Sequence, residues 1–445
     1  MMTGKRNKFL PRLTMTASLA LLGGCGIFGG DEEKPPLPGE RISILDLQNT
    51  LAPDAEAASG FSMPAAWDNE FWPQAGGYPN HAMQHLALNG GELKPVWQAS
   101  IGAGGTSRMP LTARPVVADG RVFALDTKNQ VTALSAQDGK PLWKFDARPQ
   151  GADESVIAGG LAFSGGVLYV AAGYNEIVAV NPANGEVYWR AAIDAPVRGA
   201  PTIDNGRVFA VTQTNTLVTL DARSGALLWD YSGFEGAASL VGGASPAADG
   251  GLVVPAFSSG EIYALRVENG SMAWSDNLAS SLRLGGLSGI ADIAGYPVID
   301  KGMVFAISYA GRMVAIDAQT GMRVWTRDVG GSDTPWVAGN TVFVLSSEGE
   351  LAAMARDTGA IRWVTQMARF ADPDKRSQRL LWSGPVLAGG RLFVSGTGGR
   401  VAEIDPATGK PGAQWTVGKS LIGPPIVAGK TLYMLTEDGN LLAFR

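Results

Sequence analysis

The sequence predicts an all-β chain: an eight-bladed β-propeller of four-stranded antiparallel blades, closed by an N-terminal strand that completes the last blade. Three observations predict it. The first is a tryptophan that returns at Trp97, Trp143, Trp189, Trp229, Trp274, Trp325, Trp363 and Trp415, at intervals of 38 to 52 residues. In six of the eight cases a glycine stands four residues earlier, at Gly139, Gly185, Gly225, Gly270, Gly321 and Gly359, each preceded by Asp, Asn, Ser or Thr. Such dipeptides turn the chain tightly, because glycine takes positive φ without a Cβ clash. The second observation is a proline-led segment with an apolar pair past a glycine, at Pro115, Pro201, Pro246, Pro297, Pro335, Pro385 and Pro425. An eighth copy, at Leu161 to Tyr169, lacks the proline. Periods of this length, built of short strands and glycine turns, belong to propellers, whose blades cannot bury their faces alone. The third is the C-terminal end: after Trp415 there is room for three strands only, so Pro95 to Ser100 is expected to supply the outer strand of the last blade. That closure removes an open sheet edge.

In chain order, residues 1–24 read as a lipoprotein signal peptide. Lys5, Arg6, Lys8 and Arg12 precede the apolar stretch Leu13 to Leu22, which is too short for a permanent membrane span. Leu22-Gly23-Gly24-Cys25 resembles a bacterial lipobox, and Cys25, the single cysteine among the 445 residues, is the expected lipidation site. Several acyl chains on one residue anchor stably where a single chain is marginal. Gly26 follows, in place of the aspartate that marks inner-membrane retention in many such lipoproteins. An outer-membrane, lipid-anchored location facing the periplasm is therefore expected.

Residues 25–60 read as the lipidated N-terminus and a flexible tether, with Asp31-Glu32-Glu33 and Pro35-Pro36-Leu37-Pro38 inside it. Leu45 to about Ala58 is either a short helix or irregular. Residues 61–94, containing Phe71-Trp72-Pro73-Gln74-Ala75-Gly76-Gly77, form a cap leading into the ring at 95–445.

Composition restricts the function. Without the leader the chain keeps 32 basic and 41 acidic residues, a net charge of −9, and it has no basic stripe with interleaved aromatics, so nucleic acid is not an expected partner. His81 and His85 are the only histidines, which leaves no histidine-based triad in the blades. They lie four apart but lack a third ligand nearby, so a solvated or capping role is expected and no metal site is assigned. Gly102–Gly105 and Gly396–Gly399 lack the setting of a phosphate cradle. Asp153-Glu154 and Asp372 with Asp374 lack the spacing of a calcium loop. No catalytic residue and no cofactor are expected.

The turn-plus-tryptophan unit, as in Leu220-Asp221-Ala222-Arg223-Ser224-Gly225-Ala226-Leu227-Leu228-Trp229, resembles the repeat of pyrroloquinoline-quinone-type propellers. Two families share it. Quinoprotein dehydrogenases hold the quinone and calcium in the central funnel, typically against a disulfide of adjacent cysteines, for which this chain has no residues. The BamB lipoproteins, non-enzymatic subunits of the β-barrel assembly machine, are similar over residues 25 to 445. The BamB resemblance implies a scaffold that docks the barrel-inserting protein BamA at a periplasmic repeat domain, with unfolded outer-membrane protein clients as further partners. Pro196-Val197-Arg198-Gly199-Ala200-Pro201 matches that family's arginine loop, with Val197 in place of a leucine. Asp292 matches its acidic loop, where Ala294 replaces a frequent second aspartate. Val197, Arg198, Gly199 and Asp292 are thus the implied partner-binding residues.

Both loops join a tryptophan-bearing outer strand to the next innermost strand, so they are expected on one face near the central mouth. Arg198 is either a structural arginine satisfying carbonyls between two blades or, as the resemblance implies, an exposed partner contact beside an apolar neighbour, and Arg108, Arg114, Arg283 and residues 369–381 should share that rim. A periplasmic quinoprotein dehydrogenase and a glycan-binding propeller remain as alternatives.

Overall fold

In the computed structural model, the described residues are 51–445 apart from 56, 58, 59, 237 and 280–289. Cys25, the leader and most of the tether lie outside them, as does Arg283. Eight four-stranded antiparallel sheets form the ring. Blade I spans 116–146, blade II 160–192, blade III 202–232, blade IV 247–277, blade V 298–327, blade VI 336–366 and blade VII 382–416. Blade VIII takes three strands from 426–444 and its fourth, Pro95–Ser100, from the other end of the chain. Each blade runs first strand innermost to fourth outermost, and the first strands of neighbouring blades touch around a central shaft. A small hairpin, Phe370–Asp372 with Ser377–Arg379, projects between blades VI and VII.

Within most blades one layer repeats. Phe123 stands opposite Ala133, which stands opposite Trp143; Phe305, Ala315 and Trp325 repeat the arrangement, as do Phe343, Ala353 and Trp363. The small third-strand residue lets the aromatic rings on either side meet, with centroids 5.8 to 6.1 Å apart. Blade VIII builds the same layer from both chain ends, with Tyr433, Ala443 and Trp97. Closure is sealed beyond the strand by reciprocal backbone bonds between Lys94 and Arg445.

The tryptophans also join each blade to the next. Trp143 Nε1 donates to the Pro182 carbonyl of blade II at 3.0 Å, and Trp325 Nε1 to the Arg356 carbonyl of blade VI at 2.8 Å. Under both of these indoles lies the turn glycine of the following blade, Gly185 beneath Trp143 and Gly359 beneath Trp325, each at positive φ, whereas Trp415 meets Phe444 of blade VIII instead. Trp97 reaches Ala136 and Gly139 of blade I in the same way, carrying the contact across the closure.

The cap segment stoppers the shaft at the face that carries the first-to-second-strand turns. An innermost strand leaves one row of N–H and C=O groups without a sheet partner, and burying them unpaired is costly. Residues 69–86 supply a hydrogen bond to every blade. The N–H groups of Val117, Phe163, Ala248 and Ile299 donate to the carbonyls of Trp72, Pro73, Pro79 and Asn80, and those of Gly389 and Gly429 to Leu86 and Asn69. Side chains complete the circle: Gln74 Oε1 accepts from Ile203 N at 2.9 Å and Gln84 Oε1 from Gly339 N at 3.0 Å. Trp72, Met83 and Leu86 are buried in the same core as blades VI, VII and VIII.

The histidines belong to this stopper, in the capping one of the two expected roles, and both are buried. His85 Nε2 accepts from Gly390 N at 2.9 Å and its Nδ1 bonds the Pro64 carbonyl, which fixes a neutral tautomer. His81 Nδ1 bonds the Pro297 carbonyl at 2.7 Å beside the Tyr296 ring. Burial lowers the His81 pKa to about 4, so the ring is neutral at ordinary pH. Residues 51–55 are irregular, and Asp54 lies along the outer strand of blade VI.

Candidate functional site

The connections from each outermost strand to the next innermost strand gather at the mouth opposite the stopper, together with the second-to-third-strand turns. Bonds between the two sets hold them there: Asn129 Nδ2 to the Val156 carbonyl, Asn215 Nδ2 to the Phe234 carbonyl and Ser308 Oγ to the Leu278 carbonyl.

Arg198, between blades II and III, and Asp292, between blades IV and V, meet across this face as an ion pair, with Arg198 Nη2 donating to Asp292 Oδ2. Arg198 is not the exposed contact that the resemblance implies. Its side chain is 5% exposed and that of Asp292 is 0%, and Val197 is buried under the same loop. The reason is packing: the Arg198 stem lies against Gly243, where a Cβ would fall 2.5 Å from Arg198 Cγ, and Gly199 packs on the Gly243 carbonyl. Asp292 Oδ2 also accepts from Leu240 N at 2.7 Å. One ion pair therefore ties together residues 193–201, 238–246 and 290–297 of three connections. Arg198 Nε, Arg198 Nη1 and Asp292 Oδ1 are buried without a hydrogen-bond partner among the described residues. A buried pair of this kind is costly to break, since either partner alone would be an uncompensated charge.

Two further charged residues, not in direct ion-pair contact among the described residues, influence one another across the ring. Asp333, between blades V and VI, accepts from Gly384 N at 3.2 Å, and its charge interacts with Arg114, between blades VIII and I. The Arg114 guanidinium occupies the space a side chain at position 423 would need, and Gly423 leaves it open. Asp333 is enclosed by protein on all sides of the shaft yet keeps some exposed surface, as a wall residue does. That desolvation raises its pKa to about 6, with Arg114 acting in the opposite direction.

Sequence reading brings together Val197, Arg198, Gly199 and Asp292, and the structure places all four at this mouth. It does not single out the residues that face outward there. Phe234 and Val241 are among the most exposed large apolar side chains of the described residues, and Leu381 stands exposed at the base of the hairpin. Their signal was an isolated Phe and a Leu-Val pair in the glycine-rich interval between Trp229 and Pro246. Arg108 and Arg369 are also exposed on these connections.

The family described as outer membrane protein assembly factor BamB matches residues 86–160, 128–365 and 368–445. The chain belongs to the BamB family. A BamB of Yersinia pestis is 25% identical over 433 residues, covering 96% of each chain. The crystal structure of BamB from Moraxella catarrhalis superimposes with a TM-score of 0.64 at 20% identity, over 80% of this chain and 98% of that one. A quinohemoprotein alcohol dehydrogenase from Comamonas testosteroni superimposes with a TM-score of 0.62 at 14% identity, over 84% of this chain and 80% of that one. At these identities the two solved structures show the shared propeller fold and nothing finer. Family membership makes the chain an outer-membrane protein assembly factor. Among the described residues no helix is long and apolar enough to cross a membrane.

The quinone-and-calcium alternative is not matched by the residues present. The single cysteine cannot form an adjacent-cysteine disulfide. Among the described residues no three His, Cys, Asp or Glu side chains cluster as metal ligands.

Proposed function

We propose that the chain is a non-catalytic scaffold lipoprotein of the β-barrel assembly machine, anchored in the outer membrane through Cys25, facing the periplasm, and docking a BamA-type barrel-inserting subunit at the mouth. The Arg198–Asp292 pair carries this reading. It joins described parts of three connections beside Phe234 and Val241, which stand exposed there. Exposed aromatic and aliphatic side chains have the character of interface anchors. Val197, Arg198, Gly199 and Asp292 then act as the supports beneath the contact, with unfolded barrel clients as further partners.

Capture of the purified barrel-inserting subunit by the immobilised chain tests the reading. Phe234→Asp with Val241→Asp is expected to abolish capture without altering the melting temperature. Arg198→Ala is expected to weaken it, and the swap Arg198→Asp with Asp292→Arg to recover part of it. Undiminished capture by the Phe234→Asp, Val241→Asp chain would remove this face from the mechanism.

A further inference from the structure

We infer that the outer edges of blades II, III and IV form a docking strip for an extended polypeptide segment, which adds to them as a strand. It concerns the circumference of the ring and not its mouth. It rests on the assembly-factor reading only for the origin of such segments, which unfolded barrel clients would supply.

The observation is a difference between blades at one register position, the first residue of the outermost strand. In blade VI this residue is Ile361, and the chain itself covers it. Asp54 N donates to the Ile361 carbonyl at 2.9 Å, and Ile361 N donates to Asp54 Oδ2 at 2.7 Å. Ile361 is accordingly 6% exposed. The blade VI edge thus shows that this position takes an occupant: an irregular segment whose Asp54 satisfies the outward N–H and C=O of Ile361 while the apolar side chain is buried.

Four other blades block that position by chemistry. Blades VIII, I and VII place Pro95, Pro141 and Pro411 there, and proline has no N–H to offer an incoming strand. Blade V places Arg323, which pairs with Asp276 through two hydrogen bonds of 2.7 Å. Prolines and charges are the usual protection of sheet edges against pairing with another chain. Blades II, III and IV carry Val187, Leu227 and Met272 at the same register. Leu227 is 61% exposed and Met272 54% exposed. Tyr188 and Leu228 beside them are exposed as well. Three consecutive blades therefore open their outermost strands on an apolar, hydrogen-bond-competent residue that no described residue covers, while at that register every other blade is guarded or occupied. Strand addition takes its affinity from main-chain bonds and its selectivity from the alternate side chains, so the occupant is an extended segment with apolar residues at alternate positions and no proline.

The probe is a fluorescent ten-residue peptide alternating Val or Tyr with Thr, and its control is the same peptide with two central residues changed to proline. Fluorescence anisotropy with the full chain is expected to show saturable binding of the first and none of the second. Val187→Pro, Leu227→Pro and Met272→Pro together should weaken binding at least tenfold. The fold should tolerate them, because three blades already carry proline at that register. If they unfold the ring, Val187→Arg, Leu227→Arg and Met272→Arg test the same edges. Binding by either triple variant at wild-type strength, or no saturable binding by the wild-type chain, overturns the inference. Capture of the barrel-inserting subunit, measured on the same variants, is expected to be unchanged. Loss of capture without loss of peptide binding would strike the mouth reading alone.

Discussion

The indole of Trp229 lies over Gly270 of the following blade and donates its Nε1–H to the Val267 carbonyl of that blade at 3.2 Å. The two periodic signals in the sequence are thus the two halves of one contact between neighbouring blades. A Cβ at position 270 would fall 2.6 Å from Trp229 Cε3, and the backbone there has φ +71°. Gly270→Ala combines a steric clash with a left-handed backbone, so it should destabilise the ring by about 2–4 kcal/mol. Urea unfolding of the variant against wild type measures this; a change below about 0.5 kcal/mol would remove the contact from the account.

Breaking the mouth pair should cost more than deleting it. Arg198→Ala leaves the Asp292 carboxylate buried with only Leu240 N beside it, for an expected loss of about 3–5 kcal/mol. Arg198→Met with Asp292→Leu replaces both charges with apolar groups and should lie close to wild type. The pair of unfolding curves gives the comparison directly.

Asp333 gives the ring a pH dependence of unusual sign for a carboxylate. Its folded-state pKa of about 6 lies above the ordinary value of 3.8, so the unfolded chain gives up this proton at lower pH than the folded one. The associated stability is fully present below about pH 4 and is lost as pH rises through 6. Asp333→Asn should leave stability nearly unchanged at pH 4 and raise it by about 2–3 kcal/mol at pH 7. Denaturation at the two pH values tests the difference.

His81 acts in the opposite direction over the same range. Its folded pKa of about 4 lies below the ordinary 6.5, so the unfolded chain binds the proton first, and stability present above pH 6.5 declines as pH falls towards 4. Acid should loosen the stopper before the blades. Hydrogen exchange at pH 5 is expected to show faster opening at Ile299, whose N–H is held by Asn80 beside His81, and His81→Phe should flatten that dependence.

Gln74 makes two bonds to one residue, donating to the Ile203 carbonyl and accepting from its N–H, both at 2.9 Å in a buried setting. Gln74→Ala leaves both groups unpaired, at an expected cost of about 2–4 kcal/mol. Faster exchange at Ile203 should accompany the loss.

The number of blades and the closing strand were legible because propeller repeats carry their contacts locally. Trp229 and Gly270 are tied to turn chemistry that any reader of the sequence can see, and Pro95–Ser100 is marked by Trp97. The stopper was not legible in this way, since its partners are main-chain groups of Val117, Phe163, Ile203 and their equivalents, which have no side-chain signature. Arg198 and Asp292 could be placed on one face from their connections alone. Their contact could not, because it depends on Gly243 making room for the arginine stem. The blocked edges were written in Pro95, Pro141 and Pro411 all along, yet their meaning depends on a strand register that the sequence does not display.

With its shaft plugged at one end by residues 69–86, the ring is a cup and not a pipe. Nothing can pass through the shaft from one face to the other, and anything that enters it must leave by the same opening.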